Sequence, residues 1–325
     1  MEASSATESW RKSLTPEMRK KIAALHKMTF WTYGKIPVLL GIWAICALIA
    51  IKVEPLWAKV PCWAMMGFVY HALGVFMHEG AHHAIFRNAW IDRPLGFLCG
   101  MVIFFPCSSY RATHLLHHQY ENTMQDPDNL EASFPNKFLR TLIYWSFFIV
   151  GMPMYITQVT FTGPFRARGV RDTILAIIEP LAIAGLYFGL FTLAAKYAFG
   201  DLLINGWAMG IPFAILVANF RGLAEHTQLW HRDPPNPLKS TRTLKSNAFI
   251  RFFFNNQNHH LEHHLFPGAP WDSLDKIHDL LVDVYRKHDA AVVPGYLDWF
   301  RDAARWGPNR TISYQDARPV LDPPR

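Results

Sequence analysis

The amino-acid sequence predicts an all-α integral membrane protein, with four transmembrane helices in two hairpins, interfacial helices and a cytosolic histidine-rich cap. Three observations carry this expectation. Only 18% of the 325 residues are charged and 51% are hydrophobic, whereas ordinary soluble domains carry about 25% charged residues. The apolar residues are gathered into runs long enough to cross a bilayer. The chain also holds 16 His against four Cys, so its chemistry resides in imidazoles. This composition excludes a disordered, collagen-like or nucleic-acid-binding chain, and no nucleic-acid partner is expected. Cys46, Cys62, Cys99 and Cys107 lie in or beside apolar stretches, a placement unsuited to a disulfide framework or a Cys-based zinc module.

Residues 1–35 form a polar segment with seven Lys/Arg and three Glu, lacking the short apolar core and cleavage site of a signal peptide. Four apolar runs follow. Residues 36–53 carry one charge, Lys52; residues 60–77 carry none; residues 174–195 carry only Glu179; residues 202–220 carry none. Each has about the length required for ~30 Å of hydrocarbon at 1.5 Å per residue. Residues 95–106 are too short to span and are expected to lie in the interface or pack on the bundle. Residues 139–159 are tested by parity. A basic N-terminus stays cytoplasmic, so the first hairpin returns the chain near His78. If 139–159 crossed, the basic loop with Arg166, Arg168 and Arg171 would face outward, against the positive-inside rule. We therefore read 139–159 as interfacial or re-entrant, in keeping with Gly151, Pro153, Thr157 and Gln158. The last two spans form the second hairpin, and residues 221–325 return to the cytoplasm.

Within that cytoplasmic part, residues 233–237 read as a Pro-rich loop and 319–325 as a disordered tail. Residues 272–288 place Leu274, Ile277, Leu280, Leu281 and Val284 at helical spacing, the mark of an amphipathic helix on the cap. The expected division is a cytosolic basic segment over 1–35, a membrane domain over 36–290 and a cytosolic tail over 291–325.

Eleven of the 16 His fall into three boxes and one isolated site. The boxes are His78-Glu-Gly-Ala-His82-His83, His114-Leu-Leu-His117-His118 and His259-His260-Leu-Glu-His263-His264; the isolated residue is His226. Residues three and four apart share a helix face, so each box can aim imidazoles at one focus. By parity, all four features lie just beyond membrane spans on the cytoplasmic side, where one metal centre can collect them. Imidazole suits Zn, Cu, Fe and Ni. His71, alone on an apolar helix, reads as a hydrogen-bonded core residue, and His26, His231, His278 and His288 as solvated surface residues. The boxes also contain an H-E-x-x-H pattern (His78 to His82) and an inverted H-x-x-E-H pattern (His259 to His263) of zinc proteases. A catalytic zinc takes three protein ligands and a water, which leaves most of these His unused, so a membrane metalloprotease is a distant alternative. A metal transporter would carry its ionisable ligands near mid-bilayer, where this chain has only His71 and Glu179. About nine imidazoles match a pair of metals with open coordination positions.

The three boxes, in this order, resemble those of the membrane fatty acid desaturase superfamily: H-x(3–4)-H, H-x(2–3)-H-H and (H/Q)-x(2–3)-H-H. The Leu-Phe-Pro that follows His264 resembles the family as well, and the similarity covers roughly residues 36–290. The resemblance implies a four-span bundle with a cytosolic cap, two non-haem iron ions, and O2-dependent oxidation of a lipid or fatty acyl chain. Desaturation is the reaction expected first, with hydroxylation, ketolation and decarboxylation known on the same scaffold. Carried over position by position, the ligands implied are His78, His82, His114, His117, His118, His226, His260, His263 and His264. His83 stands at the five-residue spacing that some members use, which leaves His82 and His83 as alternatives. Where some relatives have an Asn, four residues before the isolated His, this chain has Gly222, and Arg221 or Glu225 is expected to shape that side. Asp126 and Asp128 can orient imidazoles of the second box, although a helix-capping turn explains Asp128 equally well. No b5-type haem motif occurs in either tail, so electrons are expected from a separate ferredoxin-, rubredoxin- or cytochrome b5-like donor with its reductase. A net charge of +7 suits an acidic donor and anionic membrane lipids alike. The bacterial inner membrane is favoured over the ER membrane.

Overall fold

The computed structural model describes residues 10–129, 133–229 and 237–309. His231, most of the loop at 233–237 and the tail at 319–325 lie outside the described residues. Helices dominate the described residues: α1 (Pro16–Leu25), α2 (Phe30–Lys52), α3 (Leu56–His82), α4 (Ala89–Met101), α5 (Cys107–Tyr120), α6 (Lys137–Arg166), α7 (Val170–Tyr197), α8 (Gly200–Gly206), α9 (Ile211–His226), α10 (Ala248–Phe253), α11 (His260–Leu265), α12 (Leu274–His288) and α13 (Tyr296–Trp306). Two-residue strands β1 (Thr243–Leu244) and β2 (Val292–Val293) pair in parallel, Thr243 opposite Val292. The chain divides into two compact units.

The first unit holds residues 30–113 and 149–219. By length and composition, five helical stretches can cross a membrane: Pro16–Lys52, Leu56–His82, Lys137–Arg166, Val170–Tyr197 and Gly200–His226. This is one more than the sequence predicts, because the stretch read as interfacial lies inside a continuous 30-residue helix, α6. The most apolar window of α3 is 61% buried, and those of the other four are only 17% to 22% buried. Thus α3 is central, and its neighbours keep apolar surface for lipid. It ends where His83 takes the left-handed conformation (φ 57°), with Ala84 N donating to Glu79 O at 2.9 Å. That geometry is a Schellman-type stop, which satisfies the last carbonyls of the helix.

Helix α4, capped by Asn88 Oδ1 accepting from Trp90 N at 2.9 Å, packs on α3 rather than spanning, as expected from its length. The two approach so closely at Gly80 that an added Cβ would stand 2.7 Å from Asp92 O and 2.9 Å from Gly96 Cα. The start of α5 is held from α7. Glu179, buried in the span, accepts from the backbone N–H of Ser108 at 2.7 Å and from its hydroxyl, placing an acid at a helix N-terminus, where it is favoured.

The second unit holds residues 1–29, 114–148 and 220–325. Its main core joins Trp10, Leu14 and Ile22 to Leu261, Leu265, Leu274, Ile277, Leu281 and Val284. The helix expected at 272–288 is present as α12, and its apolar stripe faces this core. Part of the basic N-terminal segment is therefore packed: Ser13 Oγ lies 2.9 Å from His288 Nε2. A second core gathers Tyr144, Leu223, Leu244, Trp299 and Ala303.

Candidate metal centre

Within the second unit, seven of the expected ligands come from α5, α9 and α11 and form two adjoining nests. In one, His118 Nε2 lies 2.9 Å from His114 Nε2 and 3.2 Å from His263 Nε2. In the other, His260 Nε2 lies 2.8 Å from His226 Nε2 and 3.1 Å from His264 Nε2. His117 adjoins the second nest, its ring 4.7 Å from that of His226 and 5.1 Å from that of His264. The i, i+3, i+4 spacing on α5 and α11 produces this convergence, as the helical period requires.

Some of the Nδ1 atoms face outward onto oxygen. His117 Nδ1 is 2.9 Å from Asp126 Oδ1, His264 Nδ1 is 3.1 Å from Glu121 Oε1, and His260 Nδ1 is 3.1 Å from Gln257 Oε1. An oxygen acceptor on Nδ1 fixes the tautomer and directs the Nε2 lone pair to the other side. His117 Nε2 and His226 Nδ1 are buried and have no hydrogen-bond partner among the described residues. Facing imidazole nitrogens need a shared proton or a shared cation. Two neighbouring ligands at ~2.1 Å from a metal stand about 3 Å apart, the separation seen in both nests. The donor set therefore fits metal ions.

Electrostatics separate the rings. Burial would push His117 down, but Asp126, joined by Asp128 and Glu121, outweighs it and raises the imidazole to about 10. Burial, reinforced by His226, His264 and His263, pushes His260 well below its ordinary value. His260 is thus ready as a neutral ligand, whereas metal binding at His117 must displace a proton. Replacing Asp126 by Asn should keep the fold and lower metal affinity or turnover by roughly 10- to 100-fold, the range for lost partners of ligating His. Metal content and activity of the purified variant check this.

In the first unit, His78 and His82 pair at the end of α3, with ring centroids 4.9 Å apart. His83 does not join them. Its left-handed backbone carries the ring to Arg93, whose Nε donates to His83 Nε2 at 3.4 Å. Burial together with Arg111 and Arg93 pushes it down to about 4. Arg93 in turn makes a bidentate pair with Asp172. His71 is buried within α3, as a core residue would be.

Some partners carried no signal readable from one sequence. Glu121 and Gln257 were not anticipated. Arg221 and Glu225 were, and Glu225 Oε2 lies 3.5 Å from both Arg221 Nη1 and His260 Nδ1. Gly222 adds no side chain there. Asp126 is the closer carboxylate to His117, with Asp128 Oδ2 at 3.8 Å. The expectation for His278 is corrected: it is buried, not solvated, and its Nδ1 is 2.6 Å from Glu262 Oε1. Glu262 also accepts from Thr243 Oγ1. The patterning of α12 placed His278 one residue from Ile277 on the buried stripe, a sign that was available. His26 and His288 are half-buried.

A family model described as Fatty acid desaturase matches residues 55–296, about three quarters of the chain. The chain belongs to the fatty acid desaturase family. It is 24% identical over 256 residues to "Acyl-lipid (9-3)-desaturase" of Physcomitrium patens, covering 69% of this chain and 48% of that protein. It is 27% identical over 259 residues to "Dihydrorhizobitoxine desaturase" of Bradyrhizobium elkanii, covering 75% and 70%. It is 23% identical over 222 residues to "Sphingolipid delta(4)-desaturase" of Candida albicans, covering 66% and 59%. The chain spans about half the length of the Physcomitrium relative. All nine His of the expected ligand set fall inside the match to the desaturase family.

Proposed function

We propose that this protein carries out O2-dependent oxidation of an unactivated C–H bond in a lipid-like chain, with desaturation of a fatty acyl chain as the reaction. The ligands proposed for its two iron ions are His78, His82, His114, His117, His118, His226, His260, His263 and His264. The observation that carries the reading is the pair of adjoining nests, in which Nε2 atoms stand 2.8 Å to 3.2 Å apart while oxygens of Asp126, Glu121 and Gln257 lie 2.9 Å to 3.1 Å from Nδ1 atoms. For α3 the support is the pairing of His78 with His82 and the diversion of His83 to Arg93. Two irons in such a donor set supply O2 activation and removal of hydrogen from a methylene. The protein's own part is to aim the imidazoles and to exclude water, which the burial of His114, His117, His260 and His263 favours.

The adjacency of His117 and His226 bears on topology. A chain that leaves one face of a bilayer and returns to it crosses an even number of times. Of α6, α7 and α9, which lie between these residues, two cross. By the positive-inside rule, the basic loop of Arg166, Arg168 and Arg171 supports crossings by α7 and α9, an α6 that lies along the membrane, and boxes on the cytoplasmic face. We place the protein in a bacterial inner membrane. Two of these relatives are named for acyl lipids and sphingolipids and one for dihydrorhizobitoxine, and an acyl lipid is the substrate class we assign. Electrons come from a separate ferredoxin-, rubredoxin- or cytochrome b5-like protein and its reductase, drawn by the basic charge of the chain.

The test is lipid profiling of cells with and without the protein, with mass spectrometry of any new double bond, alongside metal analysis of the purified chain. A new alkene in an acyl chain and about two irons per chain are expected. A hydroxyl or terminal alkene would transfer the reading to a hydroxylase or decarboxylase, and one zinc without iron in active protein would overturn it.

A further inference from the structure

Helix α13 is apolar over about half its circumference at 100° per residue, more than the third or so that a core-facing helix needs. One part of that arc, Trp299 and Ala303, is fully buried with Tyr144, Leu223 and Leu244. The adjoining part carries Leu297, Phe300 and Ala304, which are exposed, with Leu297 at 60%. Asp298, Arg301, Asp302 and Arg305 fill the remaining face. The core thus covers only half of what the helix offers.

The uncovered strip continues into α6. Phe300 lies 6.0 Å, ring to ring, from both Phe148 of α6 and Phe220 of α9. Along the first half of α6, Phe138, Leu142 and Trp145 are exposed as well, Phe138 at 80%. Trp306 closes α13 with Arg305 stacked 4.7 Å over its ring, an amphipathic end of the kind found at the headgroup level of membranes. A strongly amphipathic helix with charges on one face and Leu, Phe and Trp on the other belongs in the interface plane, where its apolar face sinks among acyl chains.

We propose that α13 is a monotopic membrane helix that buries Leu297, Phe300 and Ala304 in the bilayer beside the first half of α6. The occupant of this surface is lipid rather than a second copy or a protein partner, because the strip is continuous with the apolar face of a helix that itself lies against the membrane. The two Asp and two Arg on the polar face cancel, so apolar burial and not charge drives the docking. The proposal rests on the bilayer placement of α6 given above.

Spin labels read by power-saturation EPR in nanodiscs test it. Single Cys are introduced at Leu297, Ala304, Asp302 and Arg305, and at Ile45 of α2 as a bilayer reference, in the full chain with Cys46 and Cys62 replaced by Ser. Labels at 297 and 304 should, like that at 45, be more accessible to O2 than to a water-soluble nickel complex, with the reverse at 302 and 305. The pattern should persist when anionic lipid is replaced by phosphatidylcholine. If 45 is lipid-embedded while 297 and 304 match 305, the proposal fails and the membrane reading stands; if 45 is also aqueous, both fail. Low accessibility to both reagents at 297, with dipolar broadening between labels, would assign the strip to a second copy and also overturn the proposal. Iron content close to that of the parent chain certifies that each labelled variant is folded.

Discussion

Replacing His117 by Ala should abolish oxidation of the acyl chain while the protein still accumulates in the membrane. Among the described residues, His117 couples a buried Nε2 with no hydrogen-bond partner to an Nδ1 held by a buried carboxylate, Asp126. Removing the ring takes a proposed ligand from the second nest and leaves Asp126 without its imidazole partner. The loss should exceed the ~100-fold upper bound for an outer partner such as Asp126, so product should fall below detection and iron per chain should drop. The Asp126→Asn variant supplies the intermediate step. Equal activity in the Ala variant and the parent would remove His117 from the centre.

The second large effect concerns stability. Glu262 is fully buried, 2.6 Å from His278 and also held by Thr243, and it ties α11 to α12 between two proposed ligands, His260 and His263. Truncating one member of a buried ion pair typically costs about 3–5 kcal/mol because the other is left uncompensated. Glu262→Ala should therefore lower the melting temperature of the detergent-solubilised protein markedly and release metal with it. Burial opposes the charge on Glu262, but the His278 imidazolium outweighs it and holds the carboxyl down to about 2. Its contribution is complete above the ordinary 4.5 and is lost as pH falls through about 2. Burial likewise opposes the charge on His278, and Glu262 outweighs it, raising the imidazole above its ordinary 6.5. Its contribution is complete below 6.5 and is lost as pH rises through the raised value. The pair should therefore stabilise fully between about pH 4.5 and 6.5 and less on either side. In melts from pH 6 to 9, His278→Gln should flatten the alkaline decline of the parent; parallel curves would show that the pair does not titrate there.

Much of this molecule was legible before any coordinate, and in each case for a local reason. The apolar runs had to be helices, because a backbone in hydrocarbon must satisfy its own hydrogen bonds. The stripe of Leu274, Ile277, Leu281 and Val284 announced α12 by its period. The boxes announced a shared focus because residues three and four apart share a face. What stayed hidden depends on residues distant in sequence. Nothing near His264 indicated that Glu121 would meet its Nδ1, nor that Trp10 and Ile22 would enter a core with Leu261 and Leu281.

The membrane-spanning character, the helical class, the family and the identity of the clustered imidazoles were determined by the sequence alone, because hydropathy and helical spacing act within a few turns of one chain. Tertiary structure decided the rest. It turned His83 from His82 through a left-handed helix stop, and it gave His278 to Glu262 and His117 to Asp126. It also left half the apolar arc of α13 uncovered. Those outcomes depend on which oxygen or apolar surface arrives within a few ångströms, and hydrogen bonds and buried charges are decided by that arrival.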